Sequence, residues 1–205
     1  MANLTMKVLQ EQINELRNEV AILKATSKAN KMPSGLKVGD TFELVGLTWT
    51  ILDITEGGYK CVAERLEDKM IFDNASNDWK SSSLRKCLNE DFFNRLASEI
   101  GEENIIPFER DLLSLDGQTE YGSCEDKISL LTVDEYRKYR KLIPNTNYWW
   151  WLITPWSTPC NGYEKTVAVV SPSGYIHYYS CDDFNCSGVR PVCILKSNIF
   201  VSKGE

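Results

Sequence analysis

The chain of 205 residues carries 23 Lys and Arg against 29 Asp and Glu, a net charge of −6, with 42% hydrophobic residues. That length suits one sizeable domain plus an appendage, and the acidic balance excludes nucleic acid, which wants a basic stripe. No apolar run approaches the roughly 18 residues of a membrane span, and seven cysteines without CxxC spacing fit reduced thiols better than a disulfide framework or zinc site.

Residues 1–30 carry a heptad. Met6, Leu9, Ile13, Leu16, Val20 and Leu23 alternate spacings of three and four, an a/d seam on an otherwise polar helix. The seam predicts a coiled-coil oligomerisation helix; an amphipathic helix folded back on its own domain is the alternative. Ile and Val at a with Leu at d fit two strands by the packing rule. The N-terminus has no apolar signal core, so synthesis in the cytoplasm is expected. A small, polar, proline-containing linker covers 31–35, and the domain proper runs over 36–205.

Three short alternating runs, Thr41–Val45, Thr48–Leu52 and Tyr59–Ala63, predict an antiparallel meander. Ser81, Ser82 and Ser83 offer a helix N-cap, and Leu84, Cys87, Leu88, Phe92 and Leu96 follow on one helical face. From Ile105 to Gly122 the pattern is irregular, with a turn at Asp116-Gly117. After a short buried segment at Ser129–Leu131, Thr132 and Glu135 form a capping box for a second helix. Strands are expected again at Trp149–Ile153, Val167–Val170, Tyr175–Tyr179 and Val189–Leu195, with Ser171-Pro172-Ser173-Gly174 as a hairpin turn. The fold class is α+β: a mixed antiparallel sheet carrying two helices.

Chemistry of the common catalytic kinds has no foothold. The one histidine, His177, has no nucleophile elbow near it, and GxGxxG, GxxxxGK[ST] and HExxH are all absent. The five-residue step from Cys181 to Cys186 matches no zinc pattern, and Asp182-Asp183 is too few oxygens for calcium. No cofactor and no metal are expected. The run His177-Tyr178-Tyr179-Ser180-Cys181-Asp182-Asp183-Phe184-Asn185-Cys186-Ser187 instead mixes aromatic, acidic, thiol and hydroxyl side chains without the alternation of a core strand. It reads as a binding surface between scaffold flanks; an ordinary hairpin with a polar loop is the bland alternative.

Four segments carry a resemblance. Trp79-Lys80-Ser81-Ser82-Ser83-Leu84-Arg85-Lys86-Cys87-Leu88-Asn89 resembles a W-x-x-S-x-L-R-x-x-L-N signature. Leu130-Leu131-Thr132 with Glu135-Tyr136 resembles an LLT-x-x-EY segment. Trp150-Trp151-Leu152-Ile153-Thr154-Pro155 resembles a W-W-L-R-[ST]-P block, with Ile153 in place of the arginine. Gly174 and then Gly188-Val189-Arg190-Pro191 resemble a closing G…GVRP. In this order they are similar to the C-type-lectin-fold variable proteins diversified by retroelements, in phages and gut bacteria.

The resemblance implies a C-type-lectin-like domain with a variable region at about 150–191, a non-enzymatic scaffold whose exposed residues are replaced by adenine mutagenesis. Such codons cannot yield Glu, Gln, Lys, Met or Trp, and none of the five occurs in the thirty residues from Thr166 to Leu195. By average usage that absence has a chance on the order of one in a thousand. The ligand-contacting residues implied are Ile153, Trp156, Ser157, Thr158, Cys160, Tyr163, Tyr175, His177, Tyr178, Tyr179, Cys181, Asp182, Asp183, Phe184 and Cys186. The partner expected is a protein or cell-surface ligand, for host attachment or surface recognition. A homo-oligomer through residues 6–23 would present several such faces, and the likeness to phage fibre proteins leans to a trimer and to incorporation into a phage particle. Two other functions stay open on the sequence: a formylglycine-generating-type copper oxidase using Cys181 and Cys186, and a structural phage or surface component with an incidental loop.

Overall fold

In the computed structural model, the structure describes Gln12 and residues 35–66, 70–184 and 188–200. Apart from Gln12 and Gly35, the expected coiled coil and linker lie outside the described residues. The chain divides between Gly35 and Leu36, and the unit treated below runs from Leu36 to Ile199.

The expected meander is present as β1 (Thr41–Leu44), β2 (Leu47–Thr55) and β3 (Gly58–Ala63), paired antiparallel in order. Its first turn is two residues, Val45-Gly46, and Val45 sits at φ 50°. Tight hairpins need left-handed backbone there, and a β-branched side chain pays a steric cost for it. Ser82 caps the first helix, accepting from Arg85 N at 3.1 Å. This helix, α1 (Ser83–Cys87), continues through a π-helical turn (Leu88–Phe92) into α2 (Phe93–Ile100). Leu84, Leu88, Phe92 and Leu96 are all buried, although a four-residue step drifts about 40° around a regular α-helix. The wider π turn absorbs part of that drift and keeps the stripe facing inward.

The irregular stretch from Ile105 to Gly122 holds two short strands, β4 (Ile105–Ile106) and β5 (Phe108–Asp111), and a third, β6 (Ser123–Asp126), follows it and pairs with β5. Then come β7 (Ile128–Ser129) and α3 (Val133–Tyr139), whose capping box is complete: Glu135 N donates to Thr132 Oγ1 at 3.1 Å and Thr132 N to Glu135 Oε2 at 2.9 Å. The C-terminal strands are β8 (Trp150–Pro155), β9 (Thr166–Val170), β10 (Ile176–Ser180) and β11 (Val192–Lys196).

Two main sheets result. One runs β1-β2-β3-β11-β4 with β7 also on β11; the other runs β10-β9-β8. All pairings between named strands are antiparallel. Bridges at Leu66–Val189 and Trp150–Gly188 stitch the last segment across. The core packs Leu52 and Val62 against Tyr136, Tyr139, Trp150, Leu152 and Val170. The architecture is thus mixed α+β with antiparallel sheets. No described helix is long and apolar enough to cross a membrane.

Candidate functional site: an aromatic edge strand

In the second sheet, β8 is buried along its whole length and β9 nearly so, whereas β10 is the outer strand and largely exposed. Alternation along a strand sends every second side chain to the same face. Tyr175, His177 and Tyr179 accordingly surround Trp149, with ring centroids 5.7, 5.7 and 5.1 Å away and planes within a few degrees of perpendicular. On the other face Tyr178 packs on Trp156, centroids 4.4 Å apart. Edge-to-face pairs are worth about 0.5–1.5 kcal/mol each beyond area burial, so the half-buried Trp149 fixes this face. His177 Nδ1 lies 2.7 Å from Tyr178 N and 2.9 Å from Tyr178 O, which ties the ring to the strand's own backbone.

Large apolar area remains open to solvent at Tyr163 (53%), Tyr175 (53%), Tyr178 (47%) and Phe184 (70%). Cys160 and Asp182 are exposed too, and Asp183 is half-buried. Ser180 Oγ donates to Asp182 Oδ1 at 2.5 Å, and that bond holds the Asp182 carboxyl below its usual range.

Four of the expected contact residues are not on the surface. Ile153 is fully buried: it lies in the inner strand β8, and its N–H donates to Leu131 O at 3.0 Å. Ser157 and Thr158 are buried because the loop after β8 folds inward, Ser157 Oγ donating to Asp116 Oδ2 at 2.6 Å. Cys181 is buried where the chain leaves β10; its carbonyl accepts from Phe72 N at 2.9 Å and Asp73 N at 3.0 Å. Burial, with the charges of Asp182 and Asp73, pushes its thiol up to about 11, the opposite of an activated thiolate. None of the four can meet a ligand on this face as folded. Cys186 lies outside the described residues, as do Asn185 and Ser187.

Three residues that sequence reasoning missed hold the site. Buried Asn77 shares its amide hydrogens among Ser157 O, Tyr163 O and Thr166 O at 2.8–2.9 Å, and its Oδ1 accepts from Tyr121 OH at 2.7 Å. Asp116 gathers Ser114, Ser157 and Asn161, and those hydrogen bonds hold its carboxyl at about 2. Trp149 heads an apolar block and therefore reads as core. The acceptors of the Asn77 amide nitrogen are at least eighty residues away in sequence and Tyr121 is 44 away, so no local pattern announces them.

Gly188 is required by close approach: a Cβ there would lie 2.5 Å from Tyr148 Cδ2 and 2.6 Å from Trp149 O. Among the described residues no group of three or more His, Cys, Asp or Glu is placed to hold a metal ion. No family model, no curated protein and no solved structure matches the chain.

Proposed function

We propose that this protein is a ligand-binding protein that displays a diversified surface on a fixed, C-type-lectin-like scaffold, and that it is not an enzyme. The observation that carries the reading is the division of labour around β10. The strand's outward residues are large, exposed and chemically mixed, while the strands behind it, β8 and β9, are buried. Tyrosines supply rigid amphipathic contact area at low entropic cost, and Ser180 and the two aspartates supply adaptable polar contacts. The absence of Glu, Gln, Lys, Met and Trp from Thr166–Leu195 supports adenine-directed replacement at those positions. The ligand class is a protein or cell-surface partner, in host attachment or surface recognition, and a coiled coil over residues 6–23 would add avidity by presenting two or three faces together.

Deep sequencing of the 3′ half of the gene across sister isolates tests this. The reading expects substitutions piled on Cys160, Tyr163, Tyr175, His177, Tyr178, Tyr179, Asp182, Asp183 and Phe184, and none at Trp150, Gly188 or Arg190. Even variation along the half-gene, or none together with no adenine-rich near-copy nearby, would overturn it.

A further inference from the structure

A second feature lies around the corner from the aromatic face. The chain leaving β3 and the loop before Trp149 enclose a cleft of about 480 Å³, lined among others by Glu64, Arg65, Asn145, Thr146, Tyr148 and Arg190. Arg190 is only 1% exposed, lying 5.1 Å over the Trp150 ring while its Nε donates to Ala63 O at 3.0 Å. Its Nη1 is buried without any hydrogen-bond partner. Arg65 lies over the Tyr148 ring, 4.4 Å from its centroid, and its Nε is likewise buried and unpartnered. Neither guanidinium forms an ion pair among the described residues.

Three other polar groups of the cleft are already engaged. Tyr148 OH donates to Glu64 O at 2.8 Å, Thr146 Oγ1 to Tyr148 O at 2.7 Å and Asn145 Nδ2 to Ser173 O at 3.1 Å. Two guanidinium groups without an ion-pair partner among the described residues therefore line one cleft. Buried guanidinium without a counter-ion is costly, and its planar donor array matches a carboxylate or phosphate edge.

We propose that the Arg65–Arg190 cleft is an oxyanion-binding site, taking a carboxylate or phosphate group beside its two guanidinium groups, with the Glu64 side chain that also lines it weakening the grip. This assignment is independent of whether the aromatic face varies. Because the cleft adjoins that face through Tyr148 and Trp149, it would give any ligand bearing an acidic group a fixed anchor.

The test is titration of the full chain with inorganic phosphate and, separately, with acetate, against chloride at matched ionic strength. Binding is followed by the thermal midpoint and by the arginine Nε–H NMR resonances. The proposal expects a saturable rise in midpoint and movement of the Arg65 resonance with at least one of the two anions. Response to phosphate alone assigns a phosphoryl group; response to acetate assigns a carboxylate. Arg65→Gln should weaken the apparent affinity at least tenfold, and Glu64→Gln should strengthen it severalfold, a gain that a folding defect does not produce. Chloride shifting the midpoint as much as either anion, or Arg65→Gln titrating like the parent, would overturn the assignment.

Discussion

Asn77 and Ser157 are eighty residues apart in the chain, and the Asn77 amide reaches the Ser157 carbonyl at 2.9 Å. The same amide nitrogen serves Tyr163 O and Thr166 O, so one buried side chain fastens both ends of the loop that joins β8 to β9. Removing it leaves buried carbonyls unsatisfied, at about 1–3 kcal/mol for such a group. Asn77→Ala should therefore lose on the order of 3 kcal/mol in urea unfolding, and amide exchange in residues 157–166 should speed up before that in β11. Uniform acceleration throughout the domain would show that Asn77 is not a local clamp.

Trp149 and the exposed Tyr163 and Phe184 should behave in opposite ways. Trp149 is the shared centre of three near-perpendicular ring pairs, so Trp149→Ala should cost about 2 kcal/mol. Tyr163→Ala and Phe184→Ala remove side chains at least half exposed and should fold within about 0.5 kcal/mol of the parent. Urea midpoints decide it: comparable losses across all three would mean the exposed aromatics are structural, against the proposed binding surface.

The meander, the Ser82 cap, the Thr132–Glu135 capping box and the turn before Tyr175 were all legible, because each rests on residues within a few positions of one another. Strands β4 to β6 were not: two to four residues make no periodicity, and their order comes from pairing with other strands, such as Phe108 with Asp126. The same limit governs the site. Its aromatic alternation along Tyr175–Tyr179 is local and was visible. The burial of Ile153, Ser157, Thr158 and Cys181 is set by Leu131, Asp116 and Phe72, none of them near in sequence. Arg190 Nε donates to Ala63 O, 127 residues away, another partner that no local pattern announces.

Val45 offers a stabilising substitution. At φ 50° in a two-residue hairpin turn it occupies a position that asparagine or glycine adopts with less strain. Val45→Asn should raise stability by about 1 kcal/mol, leaving the carbonyl that accepts from Arg95 Nη2 at 3.0 Å in place. A fall in thermal midpoint would mean that the half-buried valine side chain contributes more by packing than the turn loses by strain.

Thiol accessibility should separate Cys160 from the others. Cys160 is exposed, while Cys61, Cys181 and Cys193 are buried and burial pushes each of their thiols up. Only thiolate reacts, so a maleimide at neutral pH should label Cys160 in the native protein and reach those three only on unfolding. Peptide mapping reads this directly, and rapid native labelling of Cys181 would contradict its place beneath β10.

Glu135 gives the domain an acid limit. Burial alone would raise its carboxyl, but the hydrogen bonds and charge of Arg110, together with Lys60, outweigh that and hold it at about 2 against an ordinary 4.5. Because the folded-state value is depressed, the stabilisation is complete above the unfolded value and is lost as pH falls through the folded one. The window is therefore from pH 4.5 down to about 2, and the amount is on the order of 3 kcal/mol. Glu135→Gln keeps the shape of the capping box but strands the Arg110 and Lys60 charges. It should be destabilised at neutral pH, and its urea midpoint should change less across the same window than the parent's. Parallel curves for parent and variant would mean that the acid sensitivity comes from other carboxylates, with Asp116, also held at about 2, the next to substitute.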